Sequence, residues 1–200
     1  MKRGLPRAYP GMRIGLFGGS FDPAHSGHAH VAETARKRLG LDRVWWLVSP
    51  QNPLKPRSSP LSARLSSARA QARGRGMVVS DLETRLRLVY TADTLAGLRR
   101  RHPGVRFVFL MGEDNMAGFQ RWRRWPAIFA QAPIAIVTRP LAGAKARFGK
   151  AFQRFAHARR TAGALIGPAP RWAILPARFD AANSTALRAA GEAPRHPGRA

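Results

Sequence analysis

What most constrains this chain is an alternation that runs through nearly all of it. Short apolar runs rich in branched residues fall near 13–18, 44–49, 77–80, 105–111, 133–138 and 172–175, with the length and composition of buried strands. Between them lie stretches with helical spacing, near 27–39, 61–73, 91–101 and 184–190, a short one near 126–131 and a weak one over 151–161. Strands that read as continuous apolar runs need cover on both faces. Alternation with amphipathic helices predicts an α/β protein built on a parallel sheet with helices above and below.

Local signals sharpen single elements. In "YTADTLAGLRRRHPG", Thr91 is placed to cap a helix, Asp93 suits the first turn and Arg99–Arg101 the last. His102-Pro103-Gly104 then stops it. The segments "PQNPLKPRSSP" and "RPLAGAKARFGK" concentrate proline, glycine, serine and cations, and read as loops. One domain is expected over 12–190, with 1–11 and 191–200 as flexible tails.

Composition narrows the functional classes. No apolar run approaches the roughly 18 residues that a membrane span needs. The basic start lacks an apolar signal-peptide core, so a cytoplasmic protein is expected. The chain has no cysteine, which excludes disulfides and thiolate metal sites. Lys+Arg number 35 against 10 Asp+Glu, a formal charge of +25. Such a field attracts phosphorylated molecules, nucleic acid and anionic membrane alike. The arginines are scattered from Arg3 to Arg199 and not gathered with aromatics into a stripe, so arginine-favouring codon usage explains them better than a nucleic-acid surface.

The string "GGSFDPAHSGH", residues 18–28, sits where the first apolar run meets the first helical pattern. In an open parallel sheet that turn is the usual phosphate site. Gly18 and Gly19 allow positive φ and close approach of ligand to backbone. A helix beginning near Gly27 aims its N–H groups and partial positive charge at the same place. His25 and His28 add donors that can become cationic, Pro23 stiffens the turn, and Asp22 can accept from its amides. "HxxH" alone is a weak metal signal, and the zinc-protease pattern needs "HExxH".

The complete string resembles the first signature of the nucleotidylyltransferase superfamily. Further segments follow in matching order: "SPQNPLK", "YTADTL", "FVFLMGEDNMAGFQRWRRW", "IVTRP" and "NSTALR". Within that superfamily the chain is similar to the bacterial nicotinate-mononucleotide adenylyltransferases. The resemblance implies a Rossmann-like doubly wound sheet of order 3-2-1-4-5, completed by a small C-terminal helical piece. It also implies adenylyl transfer from ATP, accompanied by Mg2+, to nicotinate mononucleotide, with release of pyrophosphate. The attacking phosphate is already an anion, so catalysis reduces to positioning and charge stabilisation.

On that resemblance His25 and His28 are phosphate ligands, with His28 the main donor to the transferring group. Ser20 stands where a hydroxyl binds phosphate. Ser184, Thr185 and Arg188 fall near the β- and γ-phosphates. Lys55 is a phosphate clamp, and Arg64 matches a position that tends to be arginine. Asp114 reads either as a ribose ligand or as a cap for the helix after it. Thr91 and Thr94 fall where the pyridine carboxylate is read, Trp122 stacks on the ring, Trp125 packs, and Arg139 lies on the adenine side. The last signature departs from the common Ile-Ser-Ser-Thr, having Asn183-Ser184-Thr185. Phosphopantetheine adenylyltransferase shares the first motif, and a basic nucleic-acid-binding protein on a degenerate nucleotide fold is the alternative from another class.

Overall fold

The computed structural model describes residues 5–50, 58–138 and 149–177. Six parallel strands form one sheet: β1 (Arg13–Gly19), β2 (Arg43–Val48), β3 (Met77–Ser80), β4 (Arg106–Gly112), β5 (Ile134–Thr138) and β6 (Trp172–Pro176). Their spatial order is β3-β2-β1-β4-β5-β6. The order 3-2-1-4-5 is met, and β6 extends it by pairing in parallel with β5 from Ile134↔Trp172 to Thr138↔Pro176.

Among the described residues, six helices accompany the strands: α1 (Ser26–Leu39), α2 (Leu61–Gln71), α3 (Leu82–Arg85), α4 (Thr91–Arg101), α5 (Trp125–Gln131) and α6 (Lys150–Arg154). Successive strand residues feed opposite faces, as the period of two requires. Leu16, Trp45, Leu47, Phe109 and Ile136 enter one core with α4 and α5 residues such as Leu95 and Phe129. Phe17, Trp46, Val48, Val108 and Val137 enter the other, with Val31, Ala32 and Leu65 of α1 and α2. Trp45 and Trp46 are adjacent in sequence, fully buried, and committed to different layers.

Three local expectations are corrected. The weak helix over 151–161 is a single turn, α6, followed by 3-10 turns at Ala156–Ala158 and Ala162–Ala164. A one-turn helix, α3, follows β3 where none was expected. It is too short to show a helical period. Residues 5–11 lie against the domain: Leu5 and Ala8 pack on the core, and the Gly11 N–H donates to Gly104 O at 2.9 Å. The expected helix at 184–190 lies outside the described residues. Among the described residues no helix is long and apolar enough to cross a membrane.

Strand order reverses between β1 and β4, which opens a crevice at their carboxyl ends. The residues beyond those ends are the "GGSFDPAHSGH" turn, the start of α4 and the Gly112–Asp114 corner.

Candidate active site

The turn after β1 is organised by its histidines. His25 is the N-cap of α1, and its Nδ1 accepts from the Gly27 N–H at 3.1 Å. His28, three residues on, accepts the His25 N–H on its own Nδ1 at 3.2 Å. The two form a reciprocal capping box built from imidazoles, a motif more often made by Ser or Thr with Glu. In a neutral ring an accepting Nδ1 puts the proton on Nε2, so the cap fixes the tautomer of both histidines. Each then has an Nε2–H donor. The two rings lie 3.9 Å apart between centroids, and His28 packs edge-on to Phe21 at 5.1 Å.

The glycines act differently from the expectation. Gly18 and Gly19 belong to β1, and neither has positive φ. The left-handed residue is Phe21, at φ 48°. Its ring folds back over the strand end, so a Cβ on Gly19 would stand 3.1–3.3 Å from three of its atoms. Gly19 is therefore small to make room for Phe21. Asp22 is buried and accepts the Ser59 N–H at 3.1 Å, a bond to the segment before α2.

Arg64 is 2% exposed, and its guanidinium is engaged by backbone carbonyls. Nε donates to Ser59 O at 2.9 Å, Nη1 to Ser20 O at 3.0 Å and Ser49 O at 2.7 Å, and Nη2 to Pro50 O at 2.7 Å. Burial lowers its pKa, opposed by the Asp22 charge. The role of this arginine is internal. Arg64 ties the β1 turn, the end of β2 and the approach to α2 together.

On the other face of β1 lies a narrow recess lined by Leu16, Gly18, Leu47, Glu83, Thr91, Thr94, Leu95 and Phe109. Thr91 is the first residue of α4, whose N-cap is Tyr90, without a side-chain cap. Thr91 therefore does not cap the helix but opens it, and the helix spans the expected 91–101. Thr94 is buried, and its Oγ1 donates to Glu83 Oε1 at 2.7 Å. Glu83 was missed in the sequence. It sits 7% exposed, and desolvation raises its pKa to about 7, against the lowering effect of the Thr94 bond. Its position just past the carboxyl end of β3 was the available signal.

The β4–α5 connection closes in from the side. Trp122 is half-buried, 5.0 Å from Phe119 and 6.1 Å, edge-on, from the recess residue Phe109. Arg124 pairs with Asp93 at 2.8 Å and Arg123 stands 4.7 Å over the Tyr90 ring, so this connection is fastened to the start of α4. Trp125 packs against Phe129 and Phe155. Asp114 is exposed in the 3-10 turn Glu113–Asn115, which has no side-chain cap, and it accepts from Asn115 Nδ2 at 3.2 Å. A Cβ on Gly112 would run into its carboxylate. Lys55, Arg139, Ser184, Thr185 and Arg188 lie outside the described residues. Among the described residues no three of His, Cys, Asp and Glu form a metal-holding group.

A parallel sheet whose order reverses beside a histidine-capped helix start defines a nucleotide-binding α/β protein of the Rossmann-like class. The family model described as cytidylyltransferase-like matches residues 16–188, and the chain belongs to that family. A relative from Caulobacter sp. (strain K31), named "probable nicotinate-nucleotide adenylyltransferase", is 56% identical over 183 residues, 88% of this chain and 97% of its own length. A relative of the same name from Cereibacter sphaeroides (strain ATCC 17025) is 51% identical over 90% of this chain and 98% of its own. Among solved structures, the Plasmodium falciparum nicotinic acid mononucleotide adenylyltransferase complexed with NaAD is similar in fold. Its TM-score is 0.68 at 16% identity, over 89% of this chain and 83% of that one.

Proposed function

We propose that this chain is a nicotinate-nucleotide adenylyltransferase: it transfers the adenylyl group of ATP to nicotinate mononucleotide, giving deamido-NAD and pyrophosphate. The observation that carries the reading is the pairing of two half-sites across the end of β1. The imidazole-capped turn suits phosphate, and the start of α4, whose N-cap Tyr90 makes no side-chain cap, turns N–H groups toward an anion. The relatives' shared name supports the same acceptor.

The acceptor phosphate attacks the α-phosphorus in line and the bond to the bridging oxygen of pyrophosphate breaks. No residue has to remove a proton. The protein supplies alignment and donors where negative charge grows. His28 Nε2–H serves the transferring group, and His25 holds the helix start and shares the phosphate. Gly18, Gly19 and Ser20 form the backbone wall. Asp114 accepts from ribose hydroxyls. Lys55, Ser184, Thr185 and Arg188 bind the remaining phosphate oxygens, and Arg139 lies toward adenine. Magnesium brought with ATP would offset the phosphate charge, and among the described residues no cluster of His, Cys, Asp and Glu would hold it apart from the nucleotide; the reaction belongs to the cytoplasm.

The start of α4 gives the acceptor preference. N–H groups and partial positive charge at a helix start favour a carboxylate by a few tenths to about 1 kcal/mol. An amide NH₂ facing the same donors would leave them unsatisfied, at about 1–3 kcal/mol. Trp122 covers the ring from the side. The experiment is pyrophosphate release from ATP-Mg with nicotinate mononucleotide, nicotinamide mononucleotide and phosphopantetheine, with products identified by mass. Nicotinate mononucleotide is expected to be preferred by at least about tenfold in kcat/KM over its amide. Release with phosphopantetheine alone, or no release at all, overturns the assignment.

A further inference from the structure

Glu83 is one of only four glutamates in a chain of formal charge +25, and it stands buried on the recess wall. Its described side-chain partner is the Thr94 hydroxyl, which donates to it. The elements packed around it contribute Leu16 and Gly18 of β1, Leu47 of β2, Phe109 of β4, and Thr91 and Leu95 of α4. None carries a charge. Nearby in sequence, Asp81 pairs with Arg85 at 2.7 Å, Arg87 is exposed, and Asp93 pairs with Arg124 at 2.8 Å. Tyr90 lies under Arg123. Among the described residues that line the recess, none is a cation.

We infer that Glu83 is a specificity-determining residue for the acceptor, whose uncharged acid form admits the carboxylate of nicotinate and whose ionised form opposes it. This rests on the proposed function, which places that carboxylate at Thr91 and Thr94 on the same recess. Two carboxylates sharing a poorly solvated site cannot both ionise cheaply. Nicotinamide is uncharged there and meets no such opposition. Burial holds Glu83 near half-protonated around neutrality, with a pKa raised to about 7. The fraction of enzyme competent for the anionic acceptor therefore falls as pH rises, and the fraction competent for the amide does not.

The test compares kcat/KM for nicotinate mononucleotide and nicotinamide mononucleotide from about pH 6.5 to 8.5, in the wild type and in Glu83→Gln. The phosphate ionisation of the acceptor and all changes at the ATP side are common to both substrates and cancel in the ratio. In the wild type the nicotinate preference is expected to fall at least about fivefold across the range, since most of the acid form of Glu83 is lost over it. In Glu83→Gln the preference should stay flat and exceed the wild type at the alkaline end. A wild-type ratio independent of pH, or the same slope in Glu83→Gln, overturns the inference while leaving the adenylyltransferase reading intact. Loss of that reading would show separately, as no turnover of nicotinate mononucleotide at any pH. Should the variant fail to fold, carboxyl-labelled glutamate NMR of the wild type decides. Nicotinate mononucleotide must raise the Glu83 midpoint, by reciprocity; an unmoved midpoint overturns the inference.

Discussion

At the scale of single residues, the site turns on donors whose protons are placed before substrate arrives. His28 accepts a backbone N–H on Nδ1, so in the neutral ring its proton sits on Nε2, where the proposed function needs a donor. Removing one preorganised donor of this type costs about 10²–10³ in kcat. His28→Ala is expected to lose that much turnover and to keep its fold, because the capping bond it gives up is worth only about 1 kcal/mol. Steady-state kinetics with circular dichroism checks it; near-native turnover in a folded variant removes His28 from its role. The residues of this turn were legible because their chemistry is local: two histidines, small residues and a proline in one short string. Phe21 was not. Its left-handed backbone and the seat it takes over Gly19 depend on a ring packing against Phe17 and Trp46, which no linear pattern displays. The bond from the Thr94 hydroxyl to Glu83, eleven positions away, was not legible either, because the two residues lie on different elements.

At the scale of elements, the six strands were readable as apolar runs because each feeds both cores, and four of the helices from periodicity because each commits one face to one core. The exceptions have physical causes. α3 is four residues long, and α6 with its two 3-10 turns never completes the repeat that a period needs. The joints between elements were the least legible feature, and Arg64 is the main one. An arginine on a helix reads by default as a surface cation, whereas here four carbonyls from three segments surround it. Arg64→Ala would leave those buried acceptors unsatisfied, each at about 1–3 kcal/mol before relaxation. A loss of at least about 3 kcal/mol is expected from urea denaturation, with Arg64→Lys recovering little because an ammonium cannot reproduce the planar fork. A loss under 1 kcal/mol in Arg64→Ala would mean that water replaces the guanidinium and that the joint is held elsewhere.

At the scale of the whole molecule, charge and topology act separately. The ion pairs among the described residues lie at partly exposed groups, and pairs of that kind contribute little. A net charge of +25 therefore acts chiefly as self-repulsion. Salt screens repulsion between distant groups over about 10 Å at 0.1 M. The melting temperature is expected to rise between about 20 mM and about 300 mM sodium chloride. A fall would show that specific pairs outweigh the general field. The sheet was legible as a class and in the order of its first five strands. The docking of β6 beside β5 was not, since a strand's neighbour is chosen by which edge stays open after the others have paired.

The site itself is divided by β1. Phe17, Phe21 and His28 gather on the layer of α1 and α2, while Leu16, Phe109, Leu95 and the Glu83–Thr94 pair belong to the layer of α3 and α4. The strand stands between them as a partition, and the groups on either side share few neighbours. Changes at separated sites tend to act independently. On the proposed function, a descendant of this chain could alter the recess by substitutions on one side without retuning the histidine turn on the other. The arrangement lends itself to divergence: one half of the site can be inherited intact while the other is free to acquire a new substrate.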